Sequence, residues 1–379
     1  MKLNCDILRK TISIIASDYI NAISIYKSLN EVSYQGEIIF LNTTGQNLAG
    51  HVLKNKVRVI DFFEKEPSEL LTLLKSFKSD KIKYLFLTNE IFHQVIWNNK
   101  QLLRDLNVTY FIGNTNPHKI INKDIFLKEI EFNTNVPVPY SVDATGNDFV
   151  DDQFPILVKF ASSFSNGRKT PKSKRVDSKE ELIDYLKQIE SNCFNRNDVI
   201  LQELLSEESK HNVSVCGWYD KETTLFFQTR KILQHPPKVG NGDVIVWEPL
   251  NSDLESYTKE ICAHFDYEGP FEMEFIKSNN NDDYKIIEMN PRFWMQHGLI
   301  EQISNHYLIK KYLGISVNNE VNEKYRYWVY PLYAIYKVCR LNLKYMPYLL
   351  TNKTYWPISF SQSLKYLIIR FFRALYGKK

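Results

Sequence analysis

The chain lacks most of what would mark a secreted, membrane or zinc-bearing protein. Its 379 residues include five cysteines, Cys5, Cys193, Cys216, Cys262 and Cys339, and no C-x-x-C pair. That scatter excludes a disulfide framework and a thiolate zinc site, and fits free thiols in a reducing compartment. No window of about 20 residues is free of charge, which excludes a transmembrane helix. Met1 to Asp6 hold no apolar signal-peptide core, so a cytoplasmic location is expected. The net charge is only +4, which makes no case for nucleic acid. Internal repeats are absent. What is present is globular: 44% hydrophobic and 24% charged residues leave no room for large-scale disorder. The length implies two or three domains.

Residues 1–118 alternate strand and helix patterns. Apolar runs at 11–16, 37–41, 57–62, 83–88 and 108–112 read as five strands. Ile20, Ile23, Tyr26 and Leu29 recur at helical spacing, and 67–78 and 90–105 read as further helices. Such alternation predicts a parallel, Rossmann-like sheet with helices on both faces. The turn after the first strand, Ala16-Ser17-Asp18-Tyr19, has no glycine and no G-x-G-x-x-G, so nucleotide binding is not expected there.

The most informative stretch is 269–297. Two alternating apolar runs flank the turn-forming segment Ser278 to Asp283 and read as a β-hairpin. Strand periodicity puts Glu272 and Glu274 on one face of the first run, and Glu288 and Asn290 on one face of the second. Arg292 lies just beyond Pro291. A carboxylate, an amide and a guanidinium inside a run that otherwise favours burial are costly without a partner. If Glu274, Glu288 and Asn290 face one cleft, they supply the hard oxygens Mg²⁺ takes beside nucleotide phosphates. Elsewhere, Lys159 sits in the apolar run Phe154 to Phe160, where a lysine is rarely found unpartnered. Ser178 and Glu181 form a capping box that starts a helix to about Ile189. Asp253 to Phe265 reads as an amphipathic helix.

The pair Phe-Glu-Met-Glu-Phe-Ile and Ile-Ile-Glu-Met-Asn-Pro-Arg resembles the metal-binding hairpin of the ATP-grasp ligases. Other pieces follow the family's order across 120–297. Lys123 opens a helix that ends before Asn135-Val136-Pro137-Val138-Pro139. Pro155 to Lys159 resembles the strand whose lysine contacts the α- and β-phosphates. Gln202-Glu203-Leu204-Leu205 resembles the hinge that reads adenine, through Glu203 and the backbone at Leu205. Among Glu207, Glu208 and His211, Glu208 is the choice for ribose. Arg230-Lys231, followed by Pro236-Pro237, Gly240 and Gly242, resembles the bacterial carboligase-like group. Because strand side chains alternate, only one of Arg230 and Lys231 faces the cleft, and Lys231 is taken. The loop 161–169 departs from the family's glycine-rich form, with Gly167 alone.

The resemblance implies a Rossmann-like domain over 1–118, a two-lobed ATP-grasp fold over 119–315 (lobes 119–200 and 201–315) and a mainly helical, aromatic and basic extension over 316–379. It implies an ATP-dependent ligase that turns a carboxylate into an acyl phosphate and couples it to an amine. ATP would meet Lys123, Lys159, Gln202, Glu203, Leu205 and Glu208. Mg²⁺, or Mn²⁺, would sit on Glu274, Glu288 and Asn290, with Arg292 and Lys231 serving catalysis. Residues 293–313 read as one helix whose start presents Trp294, Gln296 and His297 to the substrate. The alternative is an ATP-binding regulatory or scaffolding protein at a membrane. In the extension, Leu364, Leu367, Ile368, Phe371, Phe372 and Leu375 form one helical stripe beside Lys365, Arg370 and Arg373. That stripe is expected to pack on the body or on a second subunit, as in a homodimer, in preference to lying on a membrane through 358–379.

Overall fold

The computed structural model describes residues 11–78, 80–144, 154–165, 168–236, 240–278, 283–318 and 320–376; of residues 55, 164 and 371–376 it describes the backbone alone. The first sheet is parallel throughout. It comprises β1 (Thr11–Ile15), β2 (Glu37–Asn42), β3 (Arg58–Asp61), β4 (Ile82–Phe86) and β5 (Val108–Thr109), in the order β3-β2-β1-β4-β5. The apolar runs expected as strands pair here, though the fifth is only two residues long. The order reverses direction between β1 and β4, and open parallel sheets bind ligands at the carboxyl ends of strands flanking such a point. The helix expected over 90–105 is two, His93–Asn98 and Lys100–Asp105. Asn99 separates them by turning its side-chain amide onto the Val95 carbonyl at 2.8 Å.

The second sheet contains β6 (Ser141–Asp143), β7 (Ile156–Phe160), β10 (Lys174–Val176) and β11 (Val199–Glu203), antiparallel in the order β10-β7-β11-β6. Two short strands, β8 (Phe164–Ser165) and β9 (Arg168–Lys169), pair with each other. Gly167, singled out in the sequence, lies outside the described residues. The helix Lys179–Ser191 covers this sheet, with Ser178 accepting the Glu181 N–H at its start.

The third sheet has seven strands in the order β16-β15-β12-β13-β14-β17-β18. They are β12 (Asn212–Tyr219), β13 (Thr224–His235), β14 (Asn241–Glu248), β15 (Gly269–Lys277), β16 (Tyr284–Asn290), β17 (Tyr327–Val329) and β18 (Thr354–Tyr355). β13 runs on through Arg230 and Lys231 to His235 and carries both cations into the sheet. The extension is not wholly separate from this sheet, because β17 and β18 add to its edge.

The helix read over 293–313 is also two, His297–Ile303 and Tyr307–Tyr312. Asn305 and His306 both take φ near +55° between them, at 53° and 58°, a conformation no helix continues through. These helices sit between the first and third sheets. One buried cluster runs from Ile15, Phe40 and Phe86 through Trp294 and Tyr312 to Trp218, Phe227 and Trp328. At Gly298 a Cβ would lie 2.6 Å from the Ser24 hydroxyl and 2.7 Å from the Tyr355 ring, so only glycine allows the helices His297–Ile303 and Ile20–Glu31 to approach this closely.

Asp220 ties this core at its rim. It accepts from Trp218 Nε1 at 2.7 Å and the Thr223 N–H at 2.6 Å, and pairs with Lys311 Nζ at 2.8 Å. Partial burial would raise its carboxyl, but the bonds to Lys311, Trp218 and Thr223 outweigh that and hold it down to about 2. Asp220→Ala is expected to lower unfolding stability by roughly 3 kcal/mol in urea titration at neutral pH. A depressed carboxyl stabilises fully above its ordinary value of 3.8 and loses that contribution as pH falls toward about 2, so the gap between the proteins closes over that window.

Candidate functional site

Two adjoining cavities lie where the three sheets meet. The larger, about 530 Å³, is bounded by the hairpin residues Glu272, Glu274, Glu288 and Asn290, by Arg292 and Gln296, and by loops after β1, β2 and β4. The smaller, about 170 Å³, lies between the second and third sheets and is lined by Lys123, Lys159, Gln202, Glu203, Leu204, Leu205 and Ser206. Lys231, Asn241, Glu274 and Glu288 line both.

The hairpin builds the shared wall by register. β15 and β16 pair Glu272 with Asn290 and Glu274 with Glu288, so four polar side chains stand together on one face of the sheet. A register shift follows Glu274, which ends the regular pairing at the wall. Lys231 reaches across β12 to Glu274 at 2.7 Å, and Lys123 meets Glu288 at 3.0 Å. Arg230, on the opposite face of β13, pairs instead with Glu248 at 2.5 Å. Lys119 and Lys128 bind Glu129 and Asp124 at the surface, leaving Lys123 to the cleft.

Burial sets the electrostatics of this cluster. Lys159 is buried, and desolvation with Lys123 nearby pushes its ammonium down to about 7. Desolvation would also lower Lys231 and Lys123, yet Glu274 and Glu288 respectively raise them above the ordinary lysine range. Burial would raise Glu288, but Lys123, with Lys159 and Lys231, holds it below the usual carboxylate range. Among the described residues, Glu272 has no lysine within bonding distance. It accepts from Asn290 Nδ2 at 3.2 Å and Gln296 Nε2 at 2.5 Å, and burial beside Glu274 pushes it upward.

Arg292 is gripped by Glu90 at 3.1 Å and by the Asn290 side-chain oxygen at 3.1 Å. His93, on the helix after Glu90, bonds the Pro291 carbonyl at 3.0 Å and so fixes the chain before the arginine. In the smaller cavity the Glu203 carboxylate accepts from the Tyr140 N–H at 2.8 Å and from Lys285 at 2.5 Å. Leu204, Leu205 and Ser206 continue the wall of that cavity. Gln202 donates to Ser141 Oγ at 2.8 Å.

Some expected residues lie elsewhere. Glu208 is exposed and paired with Lys210 at 2.6 Å, outside both cavities. Glu207 binds Arg175 at 2.6 Å and His211 bonds Ser206 Oγ at 2.8 Å, so Ser206 is the polar side chain that this segment brings to the wall. Trp294 and His297 are wholly buried core residues, not substrate-facing ones. His297 bonds the Trp294 carbonyl at 2.7 Å, and burial pushes its imidazole down to about 4. Gln296 alone of that trio lines the larger cavity. Sequence reading missed Glu90, Thr88 and Asn89 after β4, Thr43 and Thr44 after β2, and Asp243 and Tyr330. The run Thr88-Asn89-Glu90 at a strand's carboxyl end was the available signal.

Among the described residues, no three His, Cys, Asp or Glu side chains enclose a metal by themselves. Glu274, Glu288 and Asn290 line the same cavity, and carboxylate and amide oxygens are the kind Mg²⁺ takes beside phosphate oxygens. A buried ammonium near neutrality awaits an anion. Lys159→Met is therefore expected to stabilise the ligand-free protein by about 1–4 kcal/mol at pH 7. A lowered lysine penalises folding fully below about 7, and the penalty vanishes as pH rises to 10.5, so the gain shrinks over that range. The same variant should bind inorganic tripolyphosphate at least tenfold more weakly by titration calorimetry, and should lose the proton uptake that wild type shows on binding at pH 8.

Residues 123–324 match the family model described as the carbamoyl-phosphate synthase L chain, ATP binding domain. Biotin carboxylase of Haemophilus influenzae is 25% identical over 203 residues, which is 49% of this chain and 43% of that protein. The chain thus spans less than half the length of that curated relative. The solved biotin carboxylase of Campylobacter jejuni superposes with a TM-score of 0.61 at 15% identity, covering 84% of this chain and 75% of that one. N5-carboxyaminoimidazole synthase of Aspergillus clavatus, solved with ADP and 5-aminoimidazole ribonucleotide, gives 0.60 at 12% identity, covering 83% and 79%. With the matched segment running from Lys123 through the hairpin and beyond, the chain belongs to the ATP-grasp family, in the branch of the carbamoyl-phosphate synthase ATP-binding domain.

Proposed function

We propose that the protein is an ATP-dependent ligase that forms a C–N bond between a carboxylate and an amine. The observation that carries this reading is the shared wall: Lys231, Glu274 and Glu288 belong to both cavities, so a group bound in one can react with a group bound in the other. The smaller cavity suits the nucleotide. Its hinge backbone at 204–206 offers amide and carbonyl groups to a base edge, and Lys123 and Lys159 offer charge to phosphates. Glu203, held by Tyr140 and Lys285, positions the hinge. Glu274, Glu288 and Asn290 would hold Mg²⁺ or Mn²⁺. When bound, the ion supplies charge neutralisation and alignment of the γ-phosphoryl group.

The larger cavity then takes the carboxylate. Its oxygen attacks the γ-phosphorus, the bond from that phosphorus to the β-phosphate's bridging oxygen breaks, and ADP leaves. The amine nitrogen next attacks the acyl carbon, phosphate departs, and the nitrogen gives up a proton. Arg292, steadied by Glu90 and Asn290, stabilises the oxyanion formed in that attack. Lys231 stabilises charge on the transferring phosphoryl oxygens once Glu274 releases it.

Release of ADP from ATP and Mg²⁺, with pooled amino acids and sugar acids as substrates, tests this reading. Glu288→Ala is expected to lose at least a hundredfold in rate. Arg292→Met should lose a similar factor in coupled turnover while nucleotide affinity changes less than threefold. Glu288→Ala turning over as fast as wild type would remove the metal assignment, and ADP release that no carboxylate stimulates would remove the ligase.

A further inference from the structure

The helix Phe360–Tyr376 sets Leu367 of its apolar stripe against the core and leaves Leu364 and Ile368 open. It turns Ser363 and Tyr366 inward, Tyr366 meeting the His51 ring edge-on at 5.8 Å and Gln362 bonding the Val52 carbonyl at 3.3 Å. Phe360, Leu364 and Ile368, at four-residue spacing on one line of the helix, are left 54%, 40% and 46% exposed. The helix packs against Pro331–Cys339, and the segment just beyond that helix exposes Leu341 at 84%, Leu343 at 63% and, after the turn, Leu350 at 76%. Most other large side chains this open would be buried or scattered singly.

Charge is segregated onto the same part of the chain. From Lys324 onward there are 11 Lys and Arg and no Asp or Glu, while residues 1–323 hold 37 Lys and Arg against 44 Asp and Glu. Among the described residues, no ion pair takes a cation beyond Lys311. Arg340, Lys344 and Lys365 stand exposed and adjoin Leu341, Leu343 and Leu364 in sequence, Arg340 donating to the Tyr336 hydroxyl at 2.9 Å. Aliphatic groups flanked by unpaired cations match an anionic lipid surface, which takes the former below its headgroups and the latter among its phosphates. A two-fold dimer through this face would set the cations against themselves, since such an interface joins identical patches. Leucine and isoleucine are not the stacking groups of a nucleic-acid platform.

We propose that residues 331–370 form a docking surface for an anionic membrane, with Phe360, Leu364 and Ile368 entering the interface and Arg340, Lys344 and Lys365 meeting lipid phosphates. No described helix is long and apolar enough to cross a membrane, so the attachment is peripheral. The docking module is also a wall of the candidate site. Tyr330 lines the larger cavity and bonds Tyr19, Tyr333 stacks on His235 at 4.4 Å, and Tyr345 donates to Asp243 at 2.7 Å.

Co-sedimentation of the full chain with vesicles tests the proposal. Vesicles of 40% phosphatidylglycerol in phosphatidylcholine should pellet the protein, and pure phosphatidylcholine should pellet at least tenfold less. Each cation facing an anionic surface contributes roughly fivefold in partitioning, so Arg340→Glu/Lys344→Glu/Lys365→Glu should lose at least tenfold. Leu364→Ser/Ile368→Ser should lose binding at unchanged charge. Circular dichroism and the thermal midpoint confirm that each variant folds. Equal pelleting of wild type and the triple variant, or no preference for the anionic lipid, overturns the proposal. So does a lipid-free dimer in sedimentation velocity that Leu364→Ser/Ile368→Ser dissolves, which would give the stripe to a second copy, or vesicle binding abolished by competing duplex DNA.

Discussion

The site depends on buried charges that neutralise one another. Three ammonium groups, Lys123, Lys159 and Lys231, and three carboxyl groups, Glu272, Glu274 and Glu288, line the two adjoining cavities, and two of the pairs, Lys231–Glu274 and Lys123–Glu288, are in direct contact. Neither sign could be buried alone there without a large desolvation penalty. The pairing keeps the ligand-free site intact while leaving every member able to change partners. Arrival of a polyphosphate and a divalent cation would exchange each lysine–carboxylate contact for a lysine–phosphate and a carboxylate–metal contact. Lys159, with no carboxylate within bonding distance among the described residues, is the group that makes the ligand-free state imbalanced, and its lowered proton affinity follows from burial beside Lys123.

Positioning of this cluster comes from three directions. β15 and β16 hold the acids in register, β7 and β13 bring Lys159 and Lys231 to opposite sides, and the loops after β1, β2 and β4 close the larger cavity. The Glu90–Arg292 pair joins the parallel sheet to the end of the hairpin, so the first sheet orients a residue of the third. The extension completes the enclosure through Tyr330, which is why a segment outside the matched family region bears on the site.

What could be read from sequence was what a local pattern betrays. Glu274, Glu288 and Asn290 are the polar positions of a two-residue alternation in strands that are otherwise buried, and Lys159 interrupts a buried run. Lys231 was separable from Arg230 because neighbouring strand residues face opposite ways. What escaped was set by distant pairing. β14 forms against the long β13, β17 against β14 and β18 against β17. Glu90 looks like any surface acid until Arg292, about two hundred residues on, is seen beside it. Trp294 and His297 read as the substrate-facing start of one helix over 293–313, but the helix begins only at His297 and both side chains are buried in the core. Glu208 was chosen by proximity in sequence, and a short turn at Ser209–His211 points it to solvent.

The central claim is that the paired lysines and carboxylates separate to take a nucleotide's phosphates and its metal. A crystal grown with Mn²⁺ and a non-hydrolysable ATP analogue tests it directly through the manganese anomalous signal. The account predicts an anomalous peak within coordination distance of Glu274, Glu288 and Asn290, with Lys123 and Lys159 moved onto phosphate oxygens and Lys231 freed from Glu274. A peak elsewhere, or an analogue bound while Lys231–Glu274 and Lys123–Glu288 stay closed, would contradict it.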